Sequence, residues 1–165
     1  MNASEISAAS NTKVALSRIY NALRGAVSPE EFKKAALFAG AFYARMSPEE
    51  FEIREAEDWA ALALGFLEFA SVRRPGEVLI RMFDPSQDEH GWESPHKVIQ
   101  IVNDDMPFLV DSISMVLANA GISVHVLGHP VLRAKRDAEG TLLSLEEGEL
   151  ESLMHIEVKR QIAAS

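Results

Sequence analysis

The stretch at residues 102–131, VNDDMPFLVDSISMVLANAGISVHVLGHPV, changes its hydrophobic period twice, and those changes decide the fold. It opens inside KVIQIVN at residues 97–103, a run of β-branched residues that reads as a strand. Residues 109–120 then carry Leu109, Ile113, Val116, Leu117 and Ala120 on one helical stripe. Gly121 suits the left-handed position that ends a helix. Residues 123–136 return to strand, interrupted at Gly128 and Pro130. Proline has no N–H for the ladder, so this strand is expected at a sheet edge or bulge. The stretch is therefore a βαβ unit.

Working outward, residues 137–140 (DAEG) make a hairpin turn in which Gly140 supplies a positive φ, and residues 141–145 return along the ladder. Residues 146–151 read as a polar acidic link. Residues 153–160 alternate, with Met154, Ile156 and Val158 expected inward and His155, Glu157 and Lys159 outward, as in an antiparallel strand with one solvated face. Upstream, residues 78–83 form a strand and residues 84–95 a polar loop. Before that the chain reads as helix. Residues 12–24 carry a weak stripe. Ser28, Pro29 and Glu31 form a helix start with a capping box, and the pattern recurs at Ser47, Pro48 and Glu50 for a short helix ending near Arg54. Residues 57–72 place Trp59, Leu62, Ala63, Phe66, Leu67 and Ala70 on one face, and Pro75-Gly76 stops them.

The expected architecture is α+β: a helical amino-terminal region (1–75) and a ferredoxin-like antiparallel sheet in β-β-α-β-β order (76–165). That sheet lacks the second helix and last strand of a full β-α-β-β-α-β unit. An open face would then be covered by the amino-terminal helices, by a partner chain, or by further polypeptide. Exposed apolar sheet surface would favour self-association.

Composition excludes several classes. The chain has no cysteine, so it holds no disulfide, thiolate metal site or catalytic Cys. No apolar run reaches the roughly 18 residues of a membrane helix, and the first ten residues lack a signal-peptide pattern. These features fit the cytoplasm. Net charge is −9 and lies in the second half: residues 1–75 hold nine basic and ten acidic side chains, residues 76–165 seven and fifteen. Such a surface argues against nucleic acid and anionic membranes.

The run Asp105-Met106-Pro107-Phe108-Leu109-Val110, followed by Ala120-Gly121-Ile122-Ser123-Val124, resembles the ACT domain signature. In ACT domains Asp-x-Pro-Gly-Leu leads from the first strand into the first helix. Four further strings narrow the resemblance: DEHGWESPH (88–96), NDDMPFLVDS (103–112), HPVLRAKRDAEG (129–140) and MHIEVKRQ (154–161). In this order they are similar to the amino-terminal region of the large bacterial NAD-specific glutamate dehydrogenases, over roughly residues 40–161. The resemblance implies a regulatory or assembly region and an amino acid effector. Its partners would be the rest of the parent enzyme or other protomers of a homo-oligomer. The parent would use NAD and carry its catalytic lysine far downstream. No G-x-G-x-x-G follows a strand here, so no cofactor and no catalysis are expected of this chain alone.

The candidate effector site is Asn103, Asp104, Asp105, Met106, Pro107 and Phe108, which joins a strand end to a helix amino terminus. Free N–H groups there suit a carboxylate, and the two aspartates suit an α-amino group. Phe108 stands where the ACT pattern has glycine. On the plainer reading Asp105 caps the helix, Phe108 is core, and the module serves protein contacts only. A free-standing amino acid sensor is a third reading. The histidines suggest no metal site: His90 and His96 share a loop, and His125 and His129 sit too far apart on a strand to chelate one ion without a bulge.

Overall fold

Three capping boxes set the helical layer of the computed structural model, which describes residues 2–160. Asn2 and Glu5 exchange side-chain and backbone hydrogen bonds and start α1 (Ala3–Ala26). Ser28 with Glu31 starts α2 (Pro29–Tyr43), and Ser47 with Glu50 starts α3 (Pro48–Phe51). Helix α4 (Ala56–Phe69) completes the layer. The first helix begins nine residues before the expected position. Its extra turns are exposed and carry no apolar stripe, so only the Asn2–Glu5 box announces them.

The sheet is antiparallel throughout, with strands β1 (Leu79–Phe83), β2 (Lys97–Asp104), β3 (Val124–Gly128), β4 (Val131–Arg136) and β5 (Leu142–Val158). Their order is β1-β2-β5-β3, and β4 also pairs with β5. A four-residue helix, α5 (Gln87–His90), lies in the β1–β2 loop, and α6 (Leu109–Asn119) joins β2 to β3. The class is α+β, a helical amino-terminal region followed by an open five-stranded sheet.

Two strands differ from expectation. The anticipated strand at 123–136 is split at His129-Pro130 into β3 and β4, which lie along the same edge of β5. The acidic residues 146–151 are part of β5 rather than a link. Across the ladder Lys135 pairs with Glu147 at 3.0 Å and Arg136 with Glu151 at 3.0 Å, so cross-strand cations hold the acids in register. Gly148 (φ 105°) takes up the register shift there, where a Cβ would stand 2.3 Å from the Ala134 carbonyl oxygen.

Helices pack on both faces of the sheet. The amino-terminal helices bring Ile19, Leu23, Phe38, Phe42, Trp59 and Phe66 onto Val98, Val102 and Leu153 in one core that crosses from helices to strands. On the other face α6 sets Leu117, with Leu109 and Ile113 beside it, against Met154, Ile156 and Val158. Val116 is 67% exposed, and Ala120 is exposed too, so the expected stripe of α6 is narrower than its apolar residues suggested.

The outward placement of His155 and Glu157 is overturned. Both are fully buried, because the face they occupy lies beneath the helical layer instead of solvent. Lys159 is exposed as expected. Gln161, which ends one of the family-like strings, lies outside the described residues.

Candidate functional site

The six candidate residues are the last two of β2, Asn103 and Asp104, and the exposed turn at residues 105–108 that leads into α6. Asn103 pairs with Ser152, and Asp104 closes β2 opposite Glu151. Asp105 does not cap the helix: its Oδ1 accepts from Ser152 Oγ at 2.8 Å, and its N–H donates to the Leu150 carbonyl at 3.0 Å. The N-cap is Phe108, which offers no side-chain hydrogen bond to the first turn. Nor is Phe108 core, since it is 77% exposed. It alone among the described non-glycine residues has positive φ, at 62° with ψ 13°.

Phe108 thus adopts the left-handed conformation for which the ACT pattern supplies glycine. A Cβ in that region costs about 1–2 kcal/mol. The outcome is an open, uncapped helix amino terminus beside exposed Asp104, Asp105, Met106 and Pro107. Free N–H groups at such an end can receive a carboxylate oxygen.

Ser152 fastens the turn to the opposite edge. It is fully buried, and its Oγ lies 3.2 Å from His129 Nε2 at the break between β3 and β4. Burial pushes the His129 pKa below its ordinary value, partly opposed by Asp105 and reinforced by Arg45. Asp104 accepts from Arg73 Nη2 at 2.9 Å.

The remaining histidines scatter. His90 stacks on Phe83, and His96 stacks on His125 at 4.0 Å between ring centroids, with His125 at a bulge of β3. His155 joins a buried chain under the helices. Its Nδ1 lies 3.0 Å from Gln100 Nε2 and its Nε2 3.0 Å from Glu157 Oε2. Glu157 also accepts from Ser94 Oγ and from Arg54, whose guanidinium stacks over Trp59 and Trp92. Burial lowers the His155 pKa. For Glu157 burial acts upward, but His155 and Arg54 outweigh it and hold the carboxyl at about 2. Sequence reasoning missed this cluster because alternation places His155 and Glu157 toward solvent. In the sequence Arg54 marks only the end of a short helix.

A single helix packed on one sheet face, joined to the sheet by an open strand-to-helix turn, makes the carboxy-terminal half of the chain a small α+β module. Among the described residues no helix is long and apolar enough to cross a membrane. The family described as glutamate dehydrogenase, ACT1 domain, matches residues 38–165, and the chain belongs to it. It is 33% identical over 152 residues to an NAD-specific glutamate dehydrogenase of Halomonas elongata, covering 88% of this chain and 9% of the relative. Against the NAD-specific glutamate dehydrogenase of Pseudomonas aeruginosa it is 29% identical over 150 residues, covering 87% and 9%. The chain therefore spans about a tenth of the length of these relatives. No solved structure matches it.

Proposed function

We propose that this chain is the non-catalytic regulatory and assembly region of an NAD-dependent glutamate dehydrogenase. The parent would convert L-glutamate to 2-oxoglutarate and ammonia in the cytoplasm, as a homo-oligomer. In this reading the turn Asn103, Asp104, Asp105, Met106, Pro107 and Phe108 binds an amino acid. Its carboxylate lies at the amino terminus of α6 and its ammonium at Asp104 or Asp105. Binding biases the parent between two arrangements. The observation that carries the binding claim is the uncapped start of α6 inside a domain of this family.

The test is calorimetric titration of the chain with L-amino acids, including Asp, Glu and Arg, beside thermal unfolding. One amino acid should give saturable heat and raise Tm. At a hundredfold excess over Kd the added stability is about 2.7 kcal/mol. Silence across the panel contradicts the effector reading. Glutamate-dependent NAD reduction by the isolated chain contradicts the non-catalytic one.

A second reading, a docking module without an effector, draws on Met106 and Phe108, which are 49% and 77% exposed at the tip of the turn. Exposed large apolar side chains at such a tip suit contact with another domain or protomer. This reading gains if titration is silent while Phe108→Ser weakens assembly.

A further inference from the structure

Two guanidinium groups close on one buried carboxylate behind the candidate turn. Arg136 Nε donates to both oxygens of Glu151 at 3.0 Å, its Nη1 to the Gly140 carbonyl and its Nη2 to the Ala70 carbonyl, each at 2.8 Å. Arg73 Nη1 donates to Glu151 Oε1 at 3.0 Å, its Nε to the Glu77 carbonyl at 2.6 Å, and its Nη2 to Asp104 Oδ1 at 2.9 Å. Two cations thus meet two anions, and each guanidinium nitrogen has an acceptor. Arg73 and Glu151 are each 3% exposed, whereas the Asp104 side chain is 61% exposed. Asp104 is the member that opens widely to solvent.

The backbone carrying Arg73 is laced to the β4–β5 turn. Val72 bridges to Thr141, the Arg73 N–H donates to the Gly140 carbonyl at 2.9 Å, and the Leu142 N–H donates to the Ser71 carbonyl at 2.8 Å. Gly140 (φ 91°) permits this approach: a Cβ there would fall 2.3 Å from the Arg73 carbonyl oxygen. The cluster therefore joins three segments: the candidate turn, the link between α4 and β1, and the β4–β5 turn.

We infer that Arg73 is a positioning residue that couples the turn at residues 103–108 to the α4–β1 link through Asp104. The inference rests on the reading of that turn as a ligand site. An ammonium group that engages Asp104 competes with Arg73 Nη2. A buried donor that loses its acceptor is costly, so the loss falls on the link and on the hairpin laced to it. The signal leaves by the helical layer, on the opposite face of the sheet from α6.

Amide hydrogen exchange on the whole chain tests the coupling without a ligand. Asp104→Ala should speed exchange about fivefold in residues 71–77 and 137–142. Asp105→Ala, whose partner is Ser152, should leave both segments at the wild-type rate. Arg73→Lys, which keeps the charge but loses the fork, should reproduce the Asp104→Ala pattern. Should Arg73→Lys not fold, the two aspartate variants decide the matter. An Asp104→Ala effect confined to residues 103–108, or equal effects of both aspartate variants on the two distant segments, overturns the coupling. A separate arm adds the L-amino acid panel to wild type. Silence there removes the effector reading, while the ligand-free comparison still decides whether Arg73 couples the segments.

Discussion

The two faces of the sheet are built on opposite principles. The face under the amino-terminal helices is dense and charged, with Phe42, Phe66, Trp59 and Trp92 packed around Arg54, Glu157 and His155. The face under α6 is mostly aliphatic where buried, holding Leu117, Met154, Ile156 and Val158 with Ser152 beside them. Around that small core Ile80, Met82, Phe108, Met115 and Val116 are each at least 60% exposed. The face that alternation assigns to water is the more deeply buried, and the face that it assigns to the core is half open. Polarity along a strand reports its chemistry, and the layer packed above decides its burial.

The largest effect should come from the charged face. Glu157→Gln strands the Arg54 cation among aromatic rings and should cost about 3–5 kcal/mol in urea unfolding. A loss under about 1 kcal/mol would place the pair in solvent and erase the contrast between the faces. Replacing both by apolar residues, Arg54→Met with Glu157→Leu, should recover much of that loss.

Acid should attack the same face. The His155 pKa is depressed in the folded chain, so its contribution is complete above about pH 6.5 and declines as the unfolded chain gains a proton below it. The Glu157 pKa is also depressed, to about 2. Its contribution is full above its ordinary value of 4.5 and is lost as pH falls toward 2. Stability measured against pH should therefore rise from pH 2 to about 7, steepest between 2 and 4.5. In Glu157→Gln the steep segment should flatten.

The aliphatic face should respond less. Leu117→Ala should cost about 2–3 kcal/mol, the low end for a buried leucine, because solvent lies close enough for the site to relax. Smallest is Phe108→Gly, which releases the left-handed backbone and should stabilise by about 0.5–1 kcal/mol. Destabilisation by that change would show that the exposed ring packs on something.

Much of this was legible in local chemistry. Ser28 and Ser47 with their glutamates, Gly121 after α6, and Asp137 through Gly140 at the hairpin act within a few residues, and each stands where the sequence places it. Pro130 marks a real break. What escaped depends on distant partners. Lys135 and Arg136 turn the acidic stretch into ladder, and Trp59 and Trp92 bury Arg54. At the site the boundaries of the turn were readable, but its state was not. Asp105 reads as a cap and is bound to Ser152, 47 residues away, while Phe108 reads as core and stands exposed at the N-cap position.

The most direct test follows amide resonances of the labelled chain during titration with L-amino acids. The account predicts that one amino acid shifts residues 103–112, Ser152 and His129 together with the Arg73 link, while residues 155–157 stay in place. Shifts centred on His155 and Glu157, or none with any amino acid, would contradict it.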